Sequence, residues 1–187
     1  MFANEFERVA YHESAHALFG YFNGYTVDFI KLNKETPGLA VTKFNFYTDY
    51  PIIHFLKYPE DFHSQFNVLE DDKKGLLLKV AYAIIEITLA GSCSEYYYQT
   101  KIKNNNYACI VDGPDLEDIN RIKNTLTNLK IAFSDNIDED IFNSVYDKMS
   151  ITRNWITIDS LAKNLLQKED LFLNKLEIEK VLLDLFF

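Results

Sequence analysis

The chain has 187 residues, of which 48% are hydrophobic and 25% are charged, a composition that indicates one folded domain with a sizeable core and excludes a disordered chain. The formal net charge of −9 repels phosphate backbones, so we expect no nucleic-acid partner. Cys93 and Cys109 are too few for a disulfide framework, and we expect free thiols in a reducing compartment.

The N-terminal residues indicate no export signal, because Met1 to Arg8 contains two glutamates and no apolar segment. The most hydrophobic run, residues 76–90, is short and contains Lys79 and Glu86. Such a run is expected to be too short and too charged to cross a bilayer. We therefore expect cytoplasmic localisation and no membrane partner.

The first half of the chain predicts one helix followed by a hairpin. Apolar residues recur near a period of 3.6 over Glu5 to Phe22, which predicts a helix. Two runs rich in β-branched and aromatic residues, Thr26 to Leu32 and Leu39 to Phe46, predict strands joined by a turn at residues 36–38. Residues 47–68 predict loops with short elements.

Apolar periodicity in the second half predicts three further helices, at Lys73 to Gln99, about Asp115 to Phe133, and about Asp138 to Gln167 with room for a kink. An irregular loop is expected over residues 101–114. Asn174 and Glu177 form the pattern of a capping box, which begins a last helix. The fold class predicted for residues 1–187 is therefore a single, mainly α domain with a small sheet.

Residues 9–18 read Val-Ala-Tyr-His-Glu-Ser-Ala-His-Ala-Leu and contain His-Glu-x-x-His. His12 and His16 lie four residues apart, so on a helix both imidazoles share one face and can bind one zinc ion. Glu13 lies about 100° further round the helix axis, which predicts a general base for peptide-bond hydrolysis by a zinc-activated water. The alternative is a surface helix with two incidental histidines.

Catalytic zinc sites usually have three protein ligands. No histidine follows in the spacing His-x-x-Gly-x-x-His, so the third ligand must come from elsewhere. The residues alone leave seven candidates: His54, His63, Glu86, Glu95, Asp115, Glu117 and Asp118.

Four segments match, in order, the motifs of one protease family. They are His-Glu-Ser-Ala-His at 12–16, Leu-Ala-Gly-Ser-Cys-Ser-Glu at 89–95, Gly-Pro-Asp-Leu-Glu-Asp-Ile-Asn-Arg-Ile at 113–122 and Leu-Ala-Lys-Asn-Leu-Leu-Gln-Lys-Glu-Asp-Leu at 161–171. They resemble the peptidase domain of the FtsH-type ATP-dependent zinc metalloproteases. That family usually carries His-Glu-Ala-Gly-His, Gly-Gly-Arg-x-Ala-Glu, Gly-x-x-x-Asp-Leu-x-x-Ala and Leu-Ala-x-x-Leu-Leu-x-x-Glu-x-Leu.

The resemblance implies a helical, zincin-like peptidase domain with Zn²⁺ as cofactor and an aspartate as third ligand near residue 115. The segment that begins at Asp118 follows the family's order: an aspartate, an apolar residue, any residue, a basic residue, and a small or apolar residue. Asp118 is therefore the expected ligand. Asp115 is the second choice. Both carboxylates also suit a helix N-terminus without any metal.

The resemblance also implies roles for Glu95 and for the second predicted strand. The small residues at 90–94 allow a close approach between helices, and Glu95 can then accept a hydrogen bond from a ligand imidazole. A partly exposed helix glutamate is the alternative. The strand at 39–44 is similar to the family's edge strand, which can bind an extended peptide, whereas a plain core hairpin is the alternative.

The sequence contains no Gly-x-x-x-x-Gly-Lys-Ser/Thr motif, so we expect a stand-alone peptidase domain that lacks the AAA+ module and binds no ATP. Its expected function is a zinc metalloendopeptidase whose substrates are unfolded or flexible polypeptides. A homo-oligomer or a separate partner protein is compatible with the resemblance. The alternative function is a catalytically inactive, peptidase-like protein-interaction module.

Overall fold

The computed structural model describes residues 5–46, 49–59, 71–109, 111 and 113–184. Seven α-helices and three strands lie in these residues, in the order Glu5–Phe22 (α1), Thr26–Leu32 (β1), Ala40–Asn45 (β2), Tyr50–Lys57 (α2), Asp71–Tyr97 (α3), Gly113–Asn128 (α4), Ile137–Ser150 (α5), Thr152–Gln167 (α6), Phe172–Asn174 (β3) and Lys175–Leu183 (α7). The prediction of a mainly helical fold with a small antiparallel sheet is confirmed.

Helix α1 lies at the centre of the fold, between α3, α6 and the sheet. Its alanines at positions 10, 15 and 17 are fully buried, and such small side chains let neighbouring elements approach the helix on several sides. The helix ends where Gly24 adopts a positive φ of 83° and Tyr25 N donates to the carbonyl of Gly20. The predicted bounds of this helix are confirmed.

The sheet has the strand order β2-β1-β3 and is antiparallel throughout. Leu32 lies opposite Ala40 and Thr26 opposite Asn45, which confirms the predicted hairpin. The register shifts between Val27 and Phe29, so one residue bulges from β1. Among the described residues, β2 pairs only with β1, and its other edge is open.

Helix α3 continues into a π-helical turn at Tyr98–Ile102, so the helical segment runs beyond the predicted end at Gln99. The segment from Lys73 to Ile102 is long and apolar enough to span a membrane by length and composition, and 61% of its most apolar window is buried in the fold. The expectation that this region is too short and too charged to span was therefore wrong about both length and composition. Cytoplasmic localisation stays a prediction.

Other helix ends also differ from the prediction. Helix α4 ends at Asn128 instead of about Phe133, because Lys130 adopts a positive φ of 55° and Ile131 N donates back to the carbonyl of Leu126. The predicted helix over 138–167 is split into α5 and α6 at Ile151, whose ψ of 119° is extended. The predicted capping box of α7 is confirmed.

Candidate metal centre

Helix α1 presents His12, Glu13 and His16 as one group. One potential ligand atom from each of the three side chains lies within 4.8 Å of the other two. The two imidazole rings have centroids 4.6 Å apart and are nearly perpendicular. The predicted sharing of one helix face by the two histidines is therefore confirmed, and the Glu13 carboxylate lies close beside them.

The His12 ring is oriented by helix α3. Its Nδ1 lies 2.7 Å from Oε1 of Glu95, a carboxylate that is only 6% exposed. Gly91 lies against the same ring, and a Cβ at this glycine would be 2.3 Å from His12 Nε2. The predicted close approach of the two helices and the hydrogen bond to Glu95 are thus present. Because an ionised carboxylate only accepts, the hydrogen between the two atoms belongs to Nδ1.

The His16 ring is oriented by a backbone group of the same helix α3. Its Nδ1 lies 2.6 Å from the carbonyl oxygen of Ile87, and a carbonyl can only accept a hydrogen bond. Nδ1 therefore carries the hydrogen, and the lone pair of the neutral ring is on Nε2. In both histidines the same nitrogen, Nε2, is left to bind a metal.

The charges around the histidines differ. Burial alone would lower the pKa of His12, but hydrogen bonds to Asp115 and Glu95 raise that pKa to about 10. Burial and the neighbouring His12 lower the pKa of His16. Burial would raise the pKa of Asp115, but its hydrogen bond with His12 holds that pKa below the usual value. Without metal, His12 is therefore a cation between two carboxylates.

The two aspartates considered as third ligand lie one helical turn apart at the start of α4, and both line the same cleft. Oδ2 of Asp115 is 3.3 Å from His12 Nε2, the nitrogen that would bind a metal in place of its proton. Asp118, the residue expected from the resemblance, instead forms an ion pair with Lys57 of α2. Contact with the imidazoles therefore favours Asp115.

The Glu13 side chain is held from the sheet. Oγ1 of Thr42, on β2, lies 2.7 Å from Oε2 of Glu13 and 3.0 Å from its backbone carbonyl oxygen. Glu13 itself is only 8% exposed. The carboxylate is therefore buried between α1 and β2 with a hydroxyl donor on one oxygen.

Glu95 is shared between His12 and an arginine. Arg8 Nη1 donates to Oε1 of Glu95 at 2.6 Å, the same oxygen that His12 contacts. Glu5 holds the other side of the guanidinium, through a 2.9 Å hydrogen bond from Arg8 Nε. These contacts compensate the buried charge of Glu95 and fix its orientation.

A cleft of about 740 Å³ runs from this group along β2. Glu13, His16 and Asp115 line it together with residues 40–46, which include β2. The site is therefore open to a ligand that lies along the free edge of this strand.

The remaining candidates for the third ligand have other positions or other partners. Glu86 accepts from Asn23 and forms an ion pair with Lys148 of α5, while Glu117 is exposed and pairs with Arg121. His54 lies on α2. His63 lies outside the described residues.

The donor set fits a zinc ion. Two neutral imidazole nitrogens and a carboxylate are the ligands of many catalytic zinc sites, and each ring here has its other nitrogen bonded to an acceptor, as metal-binding histidines usually do. The carboxylates of Asp115 and Glu95 also stabilise positive charge on His12, and the same carboxylates would stabilise a metal cation beside it.

Several groups that build the site were not identified from the sequence. Arg8 lies four residues before His12, a spacing that places both on one helix face and was available as a signal. The hydroxyl of Thr42 and the ammonium of Lys57 carried no such signal, because their approach depends on the tertiary fold. The carbonyl of Ile87 belongs to the backbone and has no sequence pattern at all.

Comparisons with protein-family models and with curated proteins found no match to this chain.

Proposed function

We propose that this chain is a zinc-dependent metallopeptidase with a zincin-like site, as its resemblance to the FtsH-type proteases suggests. The observation that carries the proposal is the common orientation of the two histidines. Both Nδ1 atoms are bonded to acceptors on α3, which leaves both Nε2 atoms to bind a metal, and a Glu13 oxygen lies within 4.8 Å of a nitrogen of each ring. We assign His12, His16 and Asp115 as the protein ligands, with Asp115 preferred over Asp118 because it contacts His12.

The residues divide the chemistry between them. A bound zinc ion would polarise the scissile carbonyl and lower the pKa of a water toward about 7. Glu13 accepts the proton of the attacking water and returns it to the leaving amine. Glu95 keeps the hydrogen of His12 on Nδ1, and Ile87 does the same for His16.

Strand β2 supports the choice of polypeptide as substrate. Among the described residues, β2 is an edge strand of the sheet, and an extended peptide can pair with such an edge as an added strand. The cleft that follows β2 leads directly to Glu13 and His16. A substrate bound in this way must be locally extended, so unfolded or flexible polypeptides are the substrate class.

The test is cleavage of unfolded casein by the purified protein. We expect zinc-dependent cleavage that is abolished by a chelator and restored by added zinc. Glu13→Gln should keep the bound zinc and lose activity by about 10²- to 10⁴-fold, because the base is removed and the ligands are not. Lys163→Gln, on the exposed side of α6, is the matched surface control and should retain activity.

Equal cleavage by wild type and Glu13→Gln would exclude this function. Zinc binding without any cleavage would instead favour the protein-interaction module, for which the exposed side chains of Leu39 (58%) and Val41 (44%) beside the open edge of β2 provide a contact surface.

A further inference from the structure

The Glu13 carboxylate lies near enough to the imidazoles to bind the metal itself. Its oxygen belongs to a group of ligand atoms that lie within 4.8 Å of one another, although helical rotation alone predicts a greater separation. A carboxylate beside a divalent cation tends to bind it, and a bound carboxylate is no longer available as a base. Some interaction must therefore hold Glu13 off the metal.

We propose that Thr42 is this positioning residue, which keeps Glu13 as a general base and prevents it from becoming a metal ligand. Its hydroxyl lies 2.7 Å from Oε2 of Glu13 and 3.0 Å from the Glu13 carbonyl oxygen. One hydroxyl hydrogen serves one acceptor at a time, and the charged carboxylate is the stronger and nearer of the two. Thr42 thus anchors one carboxylate oxygen to the sheet.

The anchor is rigid because β2 is held on both sides of Thr42. Thr42 lies opposite Ile30 of β1, and Ile30 is fully buried. Two residues along the strand, Phe44 packs so closely on α1 that a Cβ at Gly20 would lie 2.2 Å from its ring. The position of the hydroxyl relative to α1 is therefore fixed by the sheet and by the packing of Phe44.

The same strand has the open edge to which we assign the substrate. A peptide paired with β2 would lie on the strand that carries Thr42, so the substrate and the base would be positioned by the same strand. The role of Thr42 rests on the proposed function, since it concerns the base of that reaction.

The experiment compares Thr42→Val, which keeps the shape but removes the donor, with Thr42→Ser, which restores a hydroxyl. Thr157→Val is the matched control, because Thr157 is a buried threonine on α6 whose hydroxyl donates to the carbonyl of Arg153, a contact outside the metal centre. The measurements are kcat and KM for casein-derived peptide cleavage, zinc affinity, and the visible absorption of the cobalt-substituted protein.

For Thr42→Val we expect kcat to fall about ten- to a hundredfold, the loss typical of one hydrogen bond to a charged group, with KM changed less than about twofold. Zinc affinity should be equal or higher, and the cobalt spectrum should change as Glu13 joins the coordination. Thr42→Ser should recover most of kcat, and Thr157→Val should match wild type.

Two results would overturn the proposal in different ways. Wild-type cleavage together with an unchanged kcat and cobalt spectrum in Thr42→Val would reject the role of Thr42 and leave the peptidase assignment intact. A wild-type protein that binds zinc but cleaves nothing would reject the proposed function, and the role of Thr42 with it.

Discussion

Among the individual residues of the candidate metal centre, each histidine is fixed by an acceptor on its Nδ1 atom. The acceptors differ, since His12 contacts the Glu95 carboxylate and His16 contacts the Ile87 carbonyl. Hydrogen bonds to Asp115 and Glu95 give His12 a strong preference for the protonated form, whereas burial and the neighbouring His12 lower the pKa of His16. This difference between two neighbouring imidazoles leads to a measurable dependence of metal binding on pH.

Zinc binding should release a proton from His12. With a pKa of about 10, metal-free His12 carries both ring protons at pH 6, whereas the pKa of His16 is lowered and that of Asp115 is below its usual value. Zinc must displace the proton on Nε2, so its affinity should rise about tenfold per pH unit below about pH 7, where a zinc-bound water is still protonated.

The release can be measured at pH 6 by titration calorimetry in buffers of different ionisation enthalpy. A water beside zinc, with a pKa near 7, stays largely protonated at this pH. We expect about one proton per zinc from His12. Zinc binding with no proton release would show that His12 is neutral in the metal-free protein.

Substitution of single residues also tests which aspartate is the third ligand. Asp115→Ala should lower zinc affinity by about a hundredfold or more, because it removes the carboxylate in contact with His12. Asp118→Ala should change zinc affinity less than about tenfold, since it removes only the partner of Lys57. Competition with a chromophoric chelator measures both affinities. The reverse order would assign the ligand to Asp118, as the resemblance implies.

Only part of this local arrangement could be predicted from the sequence. The spacing of His12, Glu13 and His16 follows from the helical repeat, so their grouping was predictable. Asp115 and Asp118 lie three residues apart on one helix, and local periodicity places both on the same side. Which of them meets His12 depends on how α4 packs against α1, and the sequence does not contain that information locally.

Among the helices and strands, the close contact between α1 and α3 sets the arrangement of the candidate metal centre. The ring of His12 lies where a side chain at position 91 would be, so only glycine allows the observed approach. Gly75 lies on the same helix, and a Cβ there would meet no other element of the described structure within 4 Å. The two glycines therefore form a matched pair.

Gly91→Ala should destabilise the protein by about 1–3 kcal/mol, because the added methyl group must displace the His12 ring. Gly75→Ala should stabilise it by about 0.5–1 kcal/mol through helix propensity alone. Urea unfolding of the metal-free proteins measures both changes. Equal effects of the two substitutions would contradict the close approach of α1 and α3.

The bounds of helices and strands were predicted correctly where the local sequence pattern is clear. They were predicted wrongly where tertiary contacts determine where an element begins or ends. Helix α1 has the predicted bounds because its apolar residues recur near a period of 3.6, and β1 has them because its residues are rich in β-branched and aromatic types. Strand β3, with three residues, is too short to show any repeat and exists through its pairing with β1. The break between α5 and α6 at Ile151 contains neither Gly nor Pro, so it had no local signal.

In the molecule as a whole, the candidate metal centre is assembled from four elements that are distant in sequence. Helix α1 provides the histidines and Glu13, α3 orients the rings, α4 provides the aspartates, and β2 holds the Glu13 carboxylate. Each of the last three was predicted as a helix or strand, but their convergence on one cleft is a property of the tertiary fold.

Anomalous X-ray scattering at the zinc edge, from crystals of the protein grown with one equivalent of zinc, is the decisive test of this convergence. We predict one strong peak within coordination distance, about 2.0–2.2 Å, of Nε2 of His12, Nε2 of His16 and a carboxylate oxygen of Asp115. No peak at these atoms, or zinc bound only at other surface groups, would contradict the proposed metal centre.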